Sequence, residues 1–329
     1  MILHIGVNEG KFLPPFYSFL KEHFNIEDHE FYLFGDDKGF ENKEKVVFLN
    51  SKRQVISLIT VMNNADKIIL HGLFSPRIDQ LLFMQPWLYK KCYWIMWGGD
   101  FYFPEKQSWL RKNVIKKIGY LVTFIDYDYM NVKKWYGSKG LHIKTFAYPS
   151  NIFREKILEC SSSHATNIQL GNSATKTNNH FQALEKLYQF RNENIKIFCP
   201  LSYGDTHYAM QVTNKGRELF GDKFVAITEF MDFERYLNFL SKIDIGIFAN
   251  NRQQAMGNIR VLLGMGKKVF MDLNLSSAKS FIDLNIKVFD INMLDIDKNF
   301  SEKSSNISIV RDTFSEKKLI SGLETIFGE

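Results

Sequence analysis

Side chains that can bind phosphate oxygens follow an apolar run in the second half of the sequence. The segment begins Gly171-Asn172-Ser173 and continues through hydroxyl-bearing residues to Asn178, directly before a predicted helix. Glycine lets a ligand approach the backbone, and the amides at a helix N-terminus attract anions. The segment predicts a diphosphate cradle, and a polar turn with an Asn cap is the structural alternative.

A second polar segment follows the apolar run Ile243–Phe248, which reads as a buried strand. A guanidinium pairs with phosphate in a forked geometry, and carboxamides can hydrogen-bond sugar hydroxyls or the edge of a base. The alternative is a solvated loop that starts a helix, but a polar run directly after a buried strand favours a binding loop. The candidates are Arg252, Gln253, Gln254, Gly257 and Asn258.

An aromatic side chain follows a third apolar run of this half. Tyr203 comes shortly after the predicted strand Ile195–Pro200. Its ring can stack on a nucleotide base, and an exposed tyrosine in a turn is the alternative.

The first half of the sequence holds an acid between glycines and aromatic residues. Asp100 follows the predicted strand Cys92–Trp97, where a carboxylate can act as general base on an acceptor hydroxyl. Its alternative role is to cap the helix that begins near Glu105. Asp126 and Asp128 follow another predicted strand and are alternative bases.

A histidine follows a further strand of the first half. His71 comes directly after the predicted strand Lys67–Leu70 and can bind or orient an acceptor, although a structural histidine is an equal alternative. His4 lies inside the first predicted strand, so we interpret it as structural. Glu9, just after that strand, is a further candidate for acceptor contact.

The elements that must position these residues are short apolar runs alternating with helical patterns. This alternation predicts two parallel sheets flanked by helices, and ligands bind such sheets at the carboxyl ends of the strands. Polar residues 159–166 predict the linker, and residues 290–308 read as a loop. We expect an acceptor-binding Rossmann-like domain over 1–158, a nucleotide-sugar-binding one over 159–311, and a last helix within 312–329 that packs back on the first domain.

Composition excludes several classes of protein. Hydrophobic residues make up 45% of the 329, and the net charge of +6 suits an anionic substrate or membrane surface without indicating nucleic acid. Three distant cysteines indicate neither a disulfide framework nor a zinc site. No leader or spanning segment is evident, so we expect a cytoplasmic protein in peripheral contact with an anionic membrane. The basic, amphipathic segment Gln107–Lys117 is the candidate surface, with ordinary packing of its apolar face as the alternative.

Taken together, these segments resemble one enzyme family. It comprises the transferases of 4-acetamido-4,6-dideoxygalactose (Fuc4NAc) in enterobacterial common antigen synthesis, and the resemblance spans nearly the whole chain. The Trp-x-x-Trp-Gly-x-Asp-x-Tyr and Arg-Gln-Gln segments are its more specific parts. The matching segments are His71-Gly72, Trp94 through Tyr102, Gly171-Asn172-Ser173 with Asn179-His180, Pro200 with Tyr203, and Arg252-Gln253-Gln254 with Gly257.

The resemblance implies an α/β fold of the GT-B class, with two Rossmann-like domains facing across a cleft. It implies transfer of an amino-dideoxy sugar from a dTDP-sugar donor to a polyprenyl-diphosphate-linked saccharide at the cytoplasmic face of the bacterial inner membrane. The pathway is enterobacterial common antigen or O-antigen synthesis. Inversion without a bound metal or other cofactor is also implied. The alternatives are a non-catalytic nucleotide-sugar-binding module on the same scaffold and, within enzymes, a nucleotide-sugar epimerase.

Overall fold

A computed structural model describes residues 1–37, 39–40, 44–154 and 164–328. The chain divides into two compact units. The N-terminal unit consists of Met1–Ile152 and the segment that begins at Glu316, and the C-terminal unit is Phe153–Ser315. The predicted boundary between residues 158 and 159 lies outside the described residues, as does most of the predicted linker.

The N-terminal unit is built on a seven-stranded parallel sheet of order β3-β2-β1-β4-β5-β6-β7. The central strands of a parallel sheet are usually apolar because helices cover both faces, and here His4, His29 and His71 are buried polar exceptions. The strands are β1 (Ile2–Val7), β2 (His29–Phe34), β3 (Val46–Phe48), β4 (Lys67–His71), β5 (Cys92–Ile95), β6 (Tyr120–Val122) and β7 (Leu141–Ile143).

The helices of this unit start at recognisable signals. Helix α2 begins with a capping box in which Ser51 and Gln54 bond each other's backbone, and Ser108 caps α4. Pro86 ends α3, so the single helix predicted over Arg77–Lys90 is wrong in this part. The helices are α1 (Leu13–His23), α2 (Lys52–Asn64), α3 (Pro76–Met84), α4 (Trp109–Lys117), α5 (Asp126–Tyr136) and the C-terminal α12 (Glu316–Phe327).

The C-terminal unit is built on a six-stranded parallel sheet of order β10-β9-β8-β11-β12-β13. Its strands are β8 (Thr166–Leu170), β9 (Ile195–Pro200), β10 (Phe224–Ile227), β11 (Ile245–Phe248), β12 (Lys268–Met271) and β13 (Phe289–Asp290). Its helices are α6 (His180–Leu187), α7 (Thr206–Phe220), α8 (Phe233–Ser241), α9 (Met256–Gly264), α10 (Ser276–Asp283) and α11 (Lys303–Thr313).

Two stretches near the C-terminus differ from the sequence-based expectation. The stretch 290–308 was expected to be a loop, but α11 begins within it at Lys303. The last helix begins at Glu316 rather than at residue 312. The polar run of Lys303-Ser304-Ser305-Asn306 hides the helix, because only Asn306 and Val310 of α11 are buried.

Each sheet reverses its strand order once. In the N-terminal sheet the chain leaves β1 for β2 on one side and returns to β4 on the other, and in the C-terminal sheet β8 and β11 flank the same kind of reversal. Loops diverge at such a switch point and leave a crevice at the carboxyl ends of the strands, where ligands of open α/β sheets bind. The two switch points therefore define where each site is to be found.

No helix among the described residues has both the length and the apolar character needed to cross a bilayer.

Candidate active site

The two polar segments of the C-terminal unit meet at its switch point. The side chain of Gln254, after β11, accepts a hydrogen bond from the Thr177 hydroxyl at 2.7 Å and donates to the Thr175 hydroxyl at 3.0 Å. Its amide nitrogen also lies 3.3 Å from both Asn172 Oδ1 and Ser173 Oγ. One carboxamide thus ties the loop after β11 to the loop after β8.

Asn178 shapes the first of these loops from the inside. Its buried Oδ1 accepts from the Asn172 amide at 3.1 Å, and its Nδ2 donates to the Thr175 hydroxyl at 2.7 Å. The Gly171 amide donates to the Ile247 carbonyl at 2.9 Å. In this conformation the Gly171 and Asn172 amides therefore have protein partners, which makes them poorer phosphate donors than expected.

Gly171 is needed for the shape of the same loop. Its φ is +64°, and a Cβ there would lie 2.6 Å from His180 Nε2 and 2.9 Å from Asn178 Oδ1. A left-handed backbone and these two approaches leave room for glycine alone. The residue thus serves close packing between loop and helix, which is a different use of glycine from the ligand approach that the sequence predicted.

The N-terminus of α9 presents amides that helix bonding does not use. The first intrahelical bond runs from the Ile259 amide to the Ala255 carbonyl at 3.0 Å, and no side chain caps the helix. The amides of Met256, Gly257 and Asn258 precede that bond, and no hydrogen bond between described residues occupies them. Uncapped amides at a helix start form a site for an anion.

Arg252 places a cation just before this helix. It is half-buried, and its Nη1 donates to the Gln253 carbonyl at 3.0 Å within the loop. Two acceptor atoms nearby, Gln253 Oε1 and Asn250 Oδ1, are buried with no partner among the described residues. Buried polar atoms are rarely left unsatisfied, so the loop has the character of a site that a polar ligand completes.

Tyr203 stands beside the loop after β8. Its hydroxyl accepts from Asn172 Nδ2 at 2.9 Å, its carbonyl accepts from the Ala174 amide at 2.8 Å, and the residue is 42% exposed. An exposed ring that is anchored at its hydroxyl can stack on a base without losing much conformational freedom. The structure therefore brings together the loops after β8, β9 and β11.

Asp100, in the N-terminal unit, is fully buried. Its carboxylate accepts from the Leu73 amide at 3.0 Å, the Trp94 indole at 2.8 Å and the Trp97 amide at 3.1 Å. Burial raises its pKa despite these bonds. Asp100 joins the loops after β4 and β5, and this geometry favours a positioning role over contact with an acceptor hydroxyl.

The other two predicted catalytic residues are buried as well. His71 lies with its Nδ1 2.8 Å from the Tyr148 hydroxyl, and burial lowers its pKa to about 3, which keeps the imidazole neutral. Asp128 accepts from the Tyr102 hydroxyl at 2.6 Å. Asp126 is accessible, but it pairs with Lys144 and follows β6, away from the switch point.

Glu9 is an exposed carboxylate at the switch point of the N-terminal sheet. It lies two residues after β1, and its carbonyl accepts from the amides of Phe12 at 2.9 Å and Leu13 at 3.2 Å, which fixes the turn into α1. A single acid in a loop is a weak signal in sequence, and the strand order that raises its importance is not visible there. Phe12 and Tyr148, whose rings lie 4.6 and 5.2 Å from that of Trp97, are further residues near this switch point that the sequence did not predict as site residues.

The sequence model of one family, described as 4-alpha-L-fucosyltransferase glycosyl transferase group 56, matches residues 16–304. The chain belongs to glycosyltransferase group 56. The family predicted from the motifs is thus confirmed, and the protein is a glycosyltransferase.

Solved structures resemble this group 56 enzyme over its whole length. A glycosyltransferase from Rickettsia africae ESF-5 has a TM-score of 0.70 at 15% identity, covering 99% of this chain and 97% of that chain. The Anabaena protein HepE, in complex with UDP and glucose, has a TM-score of 0.72 at 11% identity, covering 100% and 99%. Likeness at these identities establishes the fold, and the predicted α/β GT-B class is confirmed.

Proposed function

We propose that this glycosyltransferase moves an amino-dideoxy sugar of the Fuc4NAc type from a dTDP-sugar to a polyprenyl-diphosphate-linked saccharide in bacterial surface polysaccharide synthesis. The observation that carries the donor site is the Gln254 side chain, which joins the loops after β8 and β11 at the switch point. The membership in group 56 supports the sugar class, and the UDP complex of HepE supports a nucleoside diphosphate donor.

The donor diphosphate lies, in this proposal, at the N-terminus of α9 beside Arg252. Helix amides and a guanidinium stabilise the negative charge that grows on the diphosphate as it leaves, and such preorganised donors are a major source of catalysis. Tyr203 stacks on the base, and Gln253 and Gln254 shape the sugar end of the site. The site needs no bound metal in this scheme.

The transfer itself is an inverting displacement. The acceptor oxygen attacks the anomeric carbon from the face opposite the diphosphate, a new carbon–oxygen bond forms, and the bond to the diphosphate oxygen breaks. The nucleotide departs with that electron pair. Glu9 takes the proton of the acceptor hydroxyl, because it is an exposed carboxylate in the loop after β1, at the switch point of the N-terminal sheet.

Nucleotide binding tests the donor assignment. We expect dTDP to raise the thermal unfolding midpoint more than UDP or GDP at equal concentration. A ligand present at 100 times its dissociation constant stabilises by about 2.7 kcal/mol, or roughly 5–10 °C for a unit of this size. Differential scanning fluorimetry measures the shift.

The same measurement has a matched pair of variants. Tyr203→Ala should reduce the dTDP shift, whereas Tyr188→Ala should not, although the two tyrosines are 42% and 41% exposed. Equal stabilisation by UDP or GDP would contradict a donor specific for dTDP. An equal loss of the dTDP-induced shift in both variants would show that Tyr203 does not contact the nucleotide.

The lipid-linked acceptor requires contact with a membrane, and one surface of the N-terminal unit suits it. Residues 76–117 carry eight Lys and Arg against three acids, a net charge of +5 in a chain whose net charge is +6. Two of those acids, Asp79 and Asp100, are buried. An anionic lipid surface attracts such a basic region.

Aromatic side chains protrude from the same region. Val114 and Ile115 of α4 pack into the core, but Trp109 is 67% exposed and its ring contacts that of Phe83 at 5.4 Å. Met84 and Trp87 are also exposed at the end of α3 and just beyond it. Tryptophan prefers the membrane interface, so we propose that this surface lies on the cytoplasmic leaflet of the inner membrane.

Vesicle binding tests this surface. We expect co-sedimentation with phosphatidylglycerol-containing vesicles and much less with pure phosphatidylcholine. Trp109→Ala should weaken binding because it removes a side chain that prefers the membrane interface. Separately, the pair Lys112→Glu and Lys116→Glu should weaken binding about 10-fold or more, since each cation near an anionic surface contributes about 1 kcal/mol. The control pair Lys52→Glu and Arg53→Glu, exposed on α2, should bind as wild type does. Equal binding to both vesicle types would contradict the proposal.

A further inference from the structure

Four aromatic rings gather at the switch point of the N-terminal sheet. Trp97 contacts Phe12 at 4.6 Å, Tyr148 at 5.2 Å and Phe74 at 5.5 Å between ring centroids. Phe74 is 40% exposed, and Phe12 and Trp97 are half-buried. The rings come from the loops after β1, β4, β5 and β7, so four separate parts of the chain build one aromatic surface in the crevice.

Trp97 is held in this surface at both ends. Its amide donates to Asp100 Oδ1 at 3.1 Å, and its indole Nε1 donates to the Tyr148 hydroxyl at 3.0 Å. Gly72 leaves space for the cluster, because a Cβ there would lie 2.6 Å from the Phe74 ring and 3.4 Å from Trp97. A ring that is fixed by one hydrogen bond, carried on a backbone fixed by another, and packed against three other rings is preorganised, and preorganisation reduces the entropy lost on binding.

The second anchor of Trp97 is the end of a buried chain of polar groups. Tyr148 Oη lies 2.8 Å from His71 Nδ1, His71 Nε2 lies 3.0 Å from His4 Nδ1, and His4 Nε2 lies 2.9 Å from His29 Nδ1. Burial lowers the pKa of all three histidines, to about 3 for His71 and about 4 for His29. Neutral imidazoles each offer one donor and one acceptor, so the links can be satisfied in series.

A buried chain of polar groups is a less favourable filling for a sheet core than apolar side chains are, unless all of its hydrogen bonds are made. Apolar side chains of similar volume would pack there without the requirement that every link be satisfied, whereas a satisfied network holds its members in a single arrangement. One end of this chain is the Tyr148 hydroxyl at the aromatic surface, and the other is the buried His29, whose Nε2 has no partner among the described residues. At its surface end the chain orients Tyr148 and, through it, the Trp97 ring.

We propose that Phe12, Phe74 and Trp97 form a stacking platform for a pyranose ring, and that Tyr148 and His71 are positioning residues that orient Trp97. The apolar C–H face of a sugar packs on aromatic rings, and the switch point is where a ligand of this sheet binds. The role of this sugar as the acceptor terminus rests on the proposed function, whereas the saccharide site itself does not.

Saturation-transfer NMR with the methyl glycosides of N-acetylglucosamine, galactose and mannose tests the platform without requiring turnover. We expect transfer to the pyranose C–H protons of at least one glycoside. Phe74→Ala should weaken that binding roughly 10-fold, as loss of an aromatic contact implies. The control Met130→Ala, exposed on α5 of the same unit, should leave binding unchanged. No transfer in wild type, or equal transfer in Phe74→Ala, would overturn the platform.

Tyr148→Phe tests the positioning role, because it keeps the ring and removes the acceptor of the indole N–H. We expect the Trp97 indole resonance, assigned with Trp97→Phe, to shift and to exchange faster with solvent, and glycoside binding to weaken about 3–10-fold. A shifted resonance with unchanged glycoside binding would overturn the positioning role. The donor assignment is tested by a different result, because it fails if nucleotides do not raise the unfolding midpoint of the wild-type protein.

Discussion

Glu9→Gln should lower kcat by about 10²–10⁴-fold, the range that a positioned general base contributes. Glutamine keeps the size and the hydrogen-bonding reach of the side chain but cannot accept the proton of an acceptor hydroxyl. The turn that holds Glu9 uses its backbone carbonyl, so the loop should stay folded. Steady-state kinetics with saturating donor and acceptor measure the loss, and the dTDP thermal shift should match wild type.

Two comparison variants sharpen this result. Glu22→Gln, on the exposed side of α1 in the same unit, should retain full kcat. Asp100→Asn should lower the unfolding midpoint, since an amide nitrogen would face one of three buried donors, at a cost of about 1–3 kcal/mol. If Asp100→Asn folded normally without turnover while Glu9→Gln kept its kcat, Asp100 would be the base.

The difference between Asp100 and Glu9 shows what sequence patterns leave open. Both acids follow strands, and a pattern places them at the carboxyl edge of a sheet. It does not show that Trp94 and Trp97 supply donors that draw Asp100 inward, nor that β1 and β4 are neighbours. Side-chain direction and strand order depend on the packed fold, so the sequence indicates which loops lie at the edge of a sheet but not the role of each side chain within them.

The polar loops of the C-terminal unit were easier to predict from the sequence, for a physical reason. The loops proposed to bind the donor are polar runs directly after apolar strands, and the bonds of Gln254 to Thr175 and Thr177 show that two such loops are in contact. The sequence pattern does not show which backbone amides are free to bind phosphate. The Asn178 side chain accepts a hydrogen bond from the Asn172 amide, so we expect the phosphate contact at the start of α9 instead.

Arg252→Ala should raise the barrier to transfer by roughly 2–4 kcal/mol, which corresponds to about 30–1,000-fold in kcat, by analogy with loss of one oxyanion donor. The charge on the diphosphate grows as the sugar departs, so the guanidinium contributes more to the transition state than to the bound donor. The effect should therefore fall mainly on kcat and less on the KM of the donor.

Chemical rescue separates this charge effect from a distorted loop. Added guanidinium ion should restore part of the activity of Arg252→Ala, because the deleted side chain leaves a space beside the α9 N-terminus that the ion can enter. Arg217→Ala, exposed on α7, should lose no activity and gain nothing from the ion. Full activity in Arg252→Ala without the ion would place the diphosphate elsewhere, and the amides of Gly257 and Asn258 would then have no role in its departure.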